Sequence, residues 1–423
     1  MAEKKFSFWR YPMTITITPT QLRGAITPPP SKSQAHRLLI AAALAEGESY
    51  ITNLAYSQDI LATLSCLEQL GARIVREESA VRIWGLRPQR TGMLPHLDCR
   101  ESGSTLRFMI PVALAVAGGG KFTGAGRLLE RPQGPFQALF AEKGIAFDHT
   151  PQAITAQGQL TPGDYALAGD VSSQFITGLL YALPLLDGDS RICLTTPLES
   201  KNYVDMTIRA LKTFGVKVRK TEDGYLIPGN QTYSPRSMAV ESDYSQSAFY
   251  YAANGLGSEV TIQGLNPISA QGDKRIVPYY AQLCGQGRVE LDVSQCPDLV
   301  PALALHAALR DGEDTAIVNA ARLRIKESDR LATVTQELNK LGANVEEFED
   351  HLLIHGVSSL HGGQVQAHND HRIAMMLAIA ATRADGPVIL SGAESVNKSY
   401  PSFWEDYQAL GGQITIHPEG DAL

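Results

Sequence analysis

Polar and apolar positions follow each other along this chain on a long wavelength. A short polar cluster leads into an Ala/Leu-rich run that ends near glycine, and the pattern returns six times. Ser33-Gln-Ala-His-Arg37 opens LLIAAALAEG, Ser102-Gly-Ser-Thr-Leu-Arg107 opens FMIPVALAVAGG, and Ser172-Ser173-Gln174 opens FITGLLYALPLLDG. Asp243-Tyr-Ser-Gln-Ser247 precedes AFYYAANGLG, Pro297-Asp298 precedes LVPALALHAALRDG, and Asn369-Asp-His-Arg372 precedes IAMMLAIAATRADG. Each run has helical length and hardly any polar face, which predicts a helix buried on all sides.

A second helical segment follows each run, ends on glycine and passes into a β-branched stretch. Counted from Ser33, Ser104, Ser172, Ser245, Asp298 and Asp370 to Gly71, Gly144, Gly215, Gly285, Gly342 and Gly411, the spacing is 38 to 44 residues. A spacing this constant predicts one repeated supersecondary unit, with the glycine as C-cap of its second helix. That helix is amphipathic: Leu331, Val334, Leu338 and Leu341 share one face, as do Ile60, Leu64 and Leu67. Three units on either side of a break near Pro235 to Val240 predict two α/β domains, each with central helices wrapped by outer helices and short sheets. Met13-Thr-Ile-Thr-Ile-Thr-Pro19 alternates like a strand and precedes the first unit, so it is assigned to the sheet of the second domain. The expected boundaries are 31–238 for the first lobe and 13–30 with 239–423 for the second, joined by two crossovers. The first twelve residues are read only as an extension.

The polar mouths of the central helices are where chemistry is expected. At Pro28-Pro-Pro-Ser31-Lys32-Ser33, three prolines hold an extended approach. There the unpaired N–H groups of a helix start meet hydroxyls and cations. Lys32, Arg37, Arg107, Arg131, Lys326, Arg330, Arg372 and Lys398 are all placed at helix starts by this pattern. That is the unfavourable end for a cation, whereas each helix terminus favours a nearby anion by about 0.3 to 1 kcal/mol. A register of such cations points to an anionic ligand in a cleft shared by the helix starts. Among the acids, Asp298 follows a proline at a helix mouth and could be a cap. Glu327 and Asp329 lie between Lys326 and Arg330 and could be surface ion pairs, and His371 could be a base or a structural histidine.

Composition narrows the function classes. The chain of 423 residues has 37 basic and 44 acidic side chains, a net charge of −7. This argues against a nucleic-acid or general polyanion binder and makes a local cationic cluster more informative. The five cysteines (Cys66, Cys99, Cys193, Cys284 and Cys296) are scattered and lack a C-x-x-C pair, as expected of reduced cytoplasmic thiols. No apolar run reaches membrane-spanning length, the first residues lack a signal-peptide core, and His351 with His355 form no metal spacing.

Ser31-Lys-Ser33…Arg37, Gly103-Ser104…Arg107, Glu130-Arg-Pro132, Ser172-Ser-Gln174, Arg324-Ile-Lys-Glu-Ser-Asp-Arg330, Asp370-His-Arg372 and Lys398-Ser-Tyr-Pro401, in this order, resemble the 5-enolpyruvylshikimate-3-phosphate (EPSP) synthase family. The resemblance covers nearly the whole chain after Thr14. It implies a two-domain inside-out α/β barrel in which each domain has three βαβαββ units around central helices and the lobes close on substrate. It also implies transfer of the enolpyruvyl group of phosphoenolpyruvate to the 5-hydroxyl of shikimate 3-phosphate, with phosphate released and no metal or organic cofactor. Lys32, Ser33, Arg37, Ser172, Ser173, Gln174, Ser200, Tyr203, Asp298, Arg322 and Lys326 are then expected to hold shikimate 3-phosphate. Lys32, Gly103, Arg131, Gln174, Arg330, Arg372 and Lys398 are expected to hold phosphoenolpyruvate. Asp298, Glu327, Lys32 and Lys398 are the expected catalytic groups, and Gly103 resembles the form of the family that admits the inhibitor glyphosate. A cytoplasmic monomer without nucleic-acid or membrane partners is expected.

Three positions depart from the family pattern. The usual Pro-Gly before Ser-Lys-Ser becomes Pro29-Pro30, Glu101 stands where Asn is common, and Arg322 stands where Asn often contacts the shikimate phosphate. Two rivals stay open. One is the UDP-N-acetylglucosamine enolpyruvyl transferase family, which uses a loop cysteine and a Lys-Asn pair, whereas here Ser33 follows Lys32 and no cysteine lies near Arg131. The other is a non-enzymatic polyanion- or RNA-binding scaffold, against which the basic residues are not interleaved with aromatic platforms.

Overall fold

A computed structural model of the chain describes residues 12–86 and 93–417. Residues 1–11, most of the N-terminal extension, lie outside them. Twelve helices form among the described residues: α1 (Lys32–Leu44), α2 (Gln58–Gln69), α3 (Gly103–Ala117), α4 (Gly134–Glu142), α5 (Ser173–Ala182), α6 (Lys201–Thr213), α7 (Tyr244–Gly255), α8 (Ile276–Leu283), α9 (Val300–Ala308), α10 (Arg330–Lys340), α11 (His371–Ala380) and α12 (Phe403–Ala409). Odd-numbered helices are the apolar runs and even-numbered ones the amphipathic segments. The chain divides into two compact units, Pro30–Glu241 and the stretch through Pro29 together with Ser242 onward.

In the first unit the chain order strand, helix, strand, helix, strand, strand is clearest around α3. His96–Asp98 pairs in parallel with Gly119–Thr123, as a helical crossover requires. Gly119–Thr123 then pairs antiparallel with Ile154–Gln157, which pairs with Ala146–His149. Gly163–Leu167, Ser190–Leu194, Gly224–Ile227 and Arg219–Lys220 repeat it around α5. Around α1 the parallel edge strand is Ser237–Ala239, from the far end of the unit. Burial follows the pattern: Leu39, Ile40, Phe108, Ile110, Phe175 and Leu179 have no exposed surface. Gly178 lets α5 reach α3 closely, since a Cβ there would lie 2.4 Å from the Arg107 carbonyl oxygen.

The second unit repeats the same sheet around α9 and again around α11. Thr14–Thr18 is the strand the alternation predicts, and it lies between Val388–Ser391 and Gln413–His417. The repeat around α7 is shorter, because its sheet keeps only the parallel pair Arg23–Ile26 and Glu259–Ile262. After α8 the chain runs straight into Val289–Asp292, the first strand of the next repeat, so no residues remain for the hairpin. The helix end also differs there, with Cys284 as its C-cap and no left-handed glycine directly after it. Gly71, Gly144, Gly215, Gly342 and Gly411 are left-handed as expected, but after α8 it is Gly287 rather than Gly285 that has φ of +87°.

Five central helices are capped by the side chains the polar clusters offer: Ser31, Ser102, Ser172, Asp243 and Asp370 each accept a backbone N–H of the first turn. The sixth, α9, is entered through a 3-10 turn at Pro297–Leu299 without a side-chain cap, which leaves the Asp298 carboxylate for other partners.

Candidate active-site residues

In the first unit the expected residues gather where α1, α3 and α5 begin. Lys32, first residue of α1, donates to Asp59 of α2 at 2.7 Å. Ser33 follows it, and its carbonyl accepts from Arg37 Nη1 at 2.7 Å. Arg37 is buried, with Nε on the Thr207 hydroxyl at 2.9 Å, Nη2 on the Tyr203 carbonyl at 3.0 Å, and its guanidinium beside the Phe108 ring. Burial lowers its proton affinity, but an arginine remains charged. Ser172 caps α5, and Ser173 is its buried first residue. Ser200 stands at the start of α6 with φ of +51°, a left-handed conformation that side chains adopt seldom and often at functional sites.

Gly103 is the meeting point of a second set. A Cβ on it would lie 2.8 Å from Arg131 Nη1, 3.6 Å from Gln174 Oε1 and 3.7 Å from Arg107 Nη1. Arg107 donates to Gln174 Oε1 at 2.7 Å and to the Pro132 carbonyl at 3.1 Å, while Gln174 Nε2 donates to Ser104 Oγ at 3.1 Å. Two buried arginines, a glutamine amide and a helix start thus line one bare glycine. Glu101, a departure from the family pattern, lies against Gly126, where a Cβ would be 2.5 Å from its Oε2.

In the second unit Arg330 is the hub. It is 1% exposed and meets Asp298 Oδ1 at 2.9 Å, Glu327 Oε2 at 2.6 Å and Asp370 Oδ2 at 2.8 Å. Asp298 is shared further: Lys326 Nζ lies 3.6 Å from Oδ1 and Arg372 Nη2 3.1 Å from Oδ2. Burial disfavours charge on Asp298, but Arg372, Lys326 and Arg330 outweigh it and hold the carboxyl well below the usual carboxylate range. Burial likewise disfavours charge on Asp370, yet Arg330 holds it down at about 2. Arg372 also donates to Ser245 Oγ at 2.7 Å and to the Asp298 carbonyl at 3.1 Å. Lys398 donates to the Asn369 carbonyl at 2.5 Å, and Arg322 to the Ser294 carbonyl at 2.5 Å.

Several placements correct the expectations. Lys398 does not open an outer helix; it ends the 3-10 helix Ala393–Lys398, and α12 begins only at Phe403. Pro401 disfavours helical backbone at Tyr400 and delays the start. Arg131 likewise lies in the turn before α4, and Arg37 and Arg107 are one turn into their helices. Asp298 is no cap, and Glu327 is no solvated surface pair. Asp329 does take the ordinary role: it caps α10 through the Ala332 N–H and pairs with Arg324. Asp59, the partner of Lys32, has no role in the sequence reading, which counts Arg107 among the helix-start cations but not among the substrate contacts; in the structure Arg107 fixes the Gln174 amide. Its spacing one helical turn after Gly103 is what brings it to the Gln174 side of that glycine. Among the described residues no cluster of three or more His, Cys, Asp or Glu is disposed to hold a metal ion, and no helix is long and apolar enough to cross a membrane.

Comparison with known proteins agrees with this layout. The family model of EPSP synthase (3-phosphoshikimate 1-carboxyvinyltransferase) matches residues 17–407. The 3-phosphoshikimate 1-carboxyvinyltransferase of Clostridium kluyveri is 46% identical over 95% of this chain and 98% of its own. That of Clostridium beijerinckii is 43% identical over 94% and 97%. Among solved structures, EPSP synthase from Acinetobacter baumannii superposes with a TM-score of 0.78 at 25% identity, covering 96% of this chain and all of that one. With a family match across nearly the whole sequence and relatives above 40% identity at full length, the chain belongs to the EPSP synthase family.

Proposed function

We propose that this chain transfers the enolpyruvyl group of phosphoenolpyruvate to the 5-hydroxyl of shikimate 3-phosphate and releases phosphate, the reaction of its family. The observation that carries the reading is the Asp298 carboxylate held by three cations, Lys326, Arg330 and Arg372. Such cations suit the carboxylate and phosphate groups of both substrates, and arginine recognises them in bidentate fashion.

In this reading Lys32, Ser33, Arg37, Ser172, Ser173, Gln174, Ser200 and Tyr203 of the first unit, with Asp298, Arg322 and Lys326 of the second, hold shikimate 3-phosphate. Lys32, Gly103, Arg131 and Gln174, with Arg330, Arg372 and Lys398, hold phosphoenolpyruvate. The 5-hydroxyl adds to C2 of phosphoenolpyruvate as C3 gains a proton, giving a tetrahedral adduct. Loss of a proton from C3 then restores the double bond as the C2–O bond to phosphate breaks. Asp298 accepts the hydroxyl proton, and Glu327 with Lys398 handles the proton at C3. Asp298 is ionised, as a base must be, and its proton affinity rises when an arriving phosphate or carboxylate competes for its cations. The bare Gly103 leaves room beside Arg131 for phosphoenolpyruvate, and equally for glyphosate.

Phosphate release from phosphoenolpyruvate tests the reading. We expect it with shikimate 3-phosphate and neither with UDP-N-acetylglucosamine nor without a second substrate. Release with the nucleotide sugar alone overturns it in favour of the sister activity, and no release in any arm removes both.

A further inference from the structure

Helix α10 grips the short segment 366–370 at two places on one of its faces. At its start Arg330 holds Asp370, with Nε to Oδ2 at 2.8 Å and Nη2 to Oδ1 at 3.3 Å. Two turns later Glu337, with no exposed surface, accepts the Gln366 backbone N–H at 2.9 Å and a hydrogen bond from His368 Nε2 at 2.7 Å. Lys340 Nζ completes the set at 2.7 Å. A buried carboxylate with three donors is ionised, so His368 Nε2 carries the proton in this contact.

Between the two grips the backbone does something side chains resist. His368 and Asn369 are both left-handed, at φ of +52° and +54°, and the Asp370 N–H closes the turn on the Ala367 carbonyl at 2.9 Å. Consecutive left-handed residues that are not glycine persist where the surroundings hold them. This turn aims the Asn369 carbonyl at Lys398 Nζ, 2.5 Å away, and delivers Asp370 as the cap of α11, whose second residue is Arg372. Lys398 and Arg372 are cations assigned above to phosphoenolpyruvate, so the turn sets the place of two of its partners.

We propose that Glu337 and His368 are positioning residues: by clamping the 367–370 turn onto α10 they set the Asn369 carbonyl that anchors Lys398 and the helix start that presents Arg372. The inference rests on the functional reading above, in which neither residue touches substrate.

Steady-state kinetics on the full chain with His368→Gly, His368→Gln and Glu337→Gln test it. Glycine accepts a left-handed backbone without strain, which offsets part of the cost of the lost bond to Glu337, so His368→Gly stays folded while it removes the clamp. The expected result is a KM for phosphoenolpyruvate raised about tenfold, with the KM for shikimate 3-phosphate changed less than about twofold. His368→Gln keeps a donor where Nε2 stood and recovers most of the loss. If His368→Gly is folded and both KM values and kcat stay within about twofold of the parent, the clamp has no part in positioning. A loss that follows the melting temperature across the variants, and that glutamine does not repair, reduces the pair to a structural role and overturns the proposal equally. Should Glu337→Gln not fold, the two His368 variants decide. Absence of phosphate release from the parent chain is a different failure, since it removes the proposed function and this inference with it.

Discussion

Replacing Arg330 by methionine keeps an unbranched stem in place and deletes the charge on which three carboxylates converge. Asp370 is the most exposed to the consequence in energetic terms, because it has no solvent-accessible surface and receives two of the hydrogen bonds Arg330 makes. Removing one member of a buried ion cluster costs about 3 to 5 kcal/mol, since the remaining charge stays buried. For a unit of this size about 1 kcal/mol moves the melting temperature by 2 to 4 °C, so Arg330→Met should melt roughly 10 °C lower at neutral pH. The pH dependence gives the mechanism away. In the parent, Asp370 titrates at about 2 when folded, against roughly 3.9 unfolded. It therefore contributes about 2 to 3 kcal/mol above pH 4, lost as the pH falls toward 2. In the variant the buried carboxyl titrates above its unfolded value, so it destabilises at neutral pH and the penalty shrinks as it protonates. Thermal unfolding followed by circular dichroism at pH 7 and pH 5 should show the gap between parent and variant narrowing on acidification. A gap under about 2 °C at pH 7, or one that widens at pH 5, would refute the reasoning.

Asp298→Asn and Glu327→Gln should each lower kcat by on the order of a hundredfold or more, with the fold retained by near-isosteric amides; turnover near normal in either removes that residue from proton transfer. Gly103→Ala sets a methyl 2.8 Å from Arg131 Nη1. A mobile guanidinium can yield, so the variant should fold normally yet show a higher KM for phosphoenolpyruvate and weaker glyphosate inhibition; an unchanged KM would place that ligand elsewhere. Buried His306, in α9, is pushed down to about 4 by burial and then by Arg310. The unfolded imidazole takes up its proton near 6.5, so the second unit should lose up to about 3 kcal/mol as the pH falls from 6.5 to 4. His306→Phe should flatten that slope, and an unchanged slope in urea titrations would count against it.

The six central helices were legible because an all-apolar run of helical length has one stable place, the inside of a unit. Their caps were legible because Ser31, Ser102, Ser172, Asp243 and Asp370 do a local job that local sequence specifies. The missing hairpin after α8 was hidden because Gly285-Gln-Gly-Arg-Val289 has the same turn-then-strand texture as the repeats that keep theirs. Pattern also could not divide the charges of Arg324-Ile-Lys-Glu-Ser-Asp-Arg330. The 3-10 turn Ala321–Ile325 interrupts helical register, so Arg324 turns to Glu347 and Asp329, while Lys326 and Arg330 turn to Asp298 and Glu327 pairs with Arg330. Partners such as Asp59 for Lys32 and His368 for Glu337 lie 27 and 31 residues away and meet only once the sheets form.

The cluster around Arg330 makes a poor case as a device for stability. Buried ion networks replaced by apolar residues of like volume are often no less stable, because desolvation offsets most of the attraction. Three carboxylates facing three cations in an otherwise apolar repeat need another reason, and the uneven exposure of the acids supplies one. Asp370 is sealed and serves Arg330 and the start of α11, whereas Asp298 and Glu327 keep 18% and 17% of their side-chain surface open. An incoming phosphate or carboxylate can compete for these cations only where solvent already reaches, beside Asp298 and Glu327. As it engages those cations it loosens their hold on Asp298, which then binds a proton more readily. On the proposed reading, a charge-balanced network without ligand and a more basic Asp298 with ligand are two states of one network. In that reading the sealed Asp370 keeps Arg330 in place while the more accessible Asp298 exchanges partners.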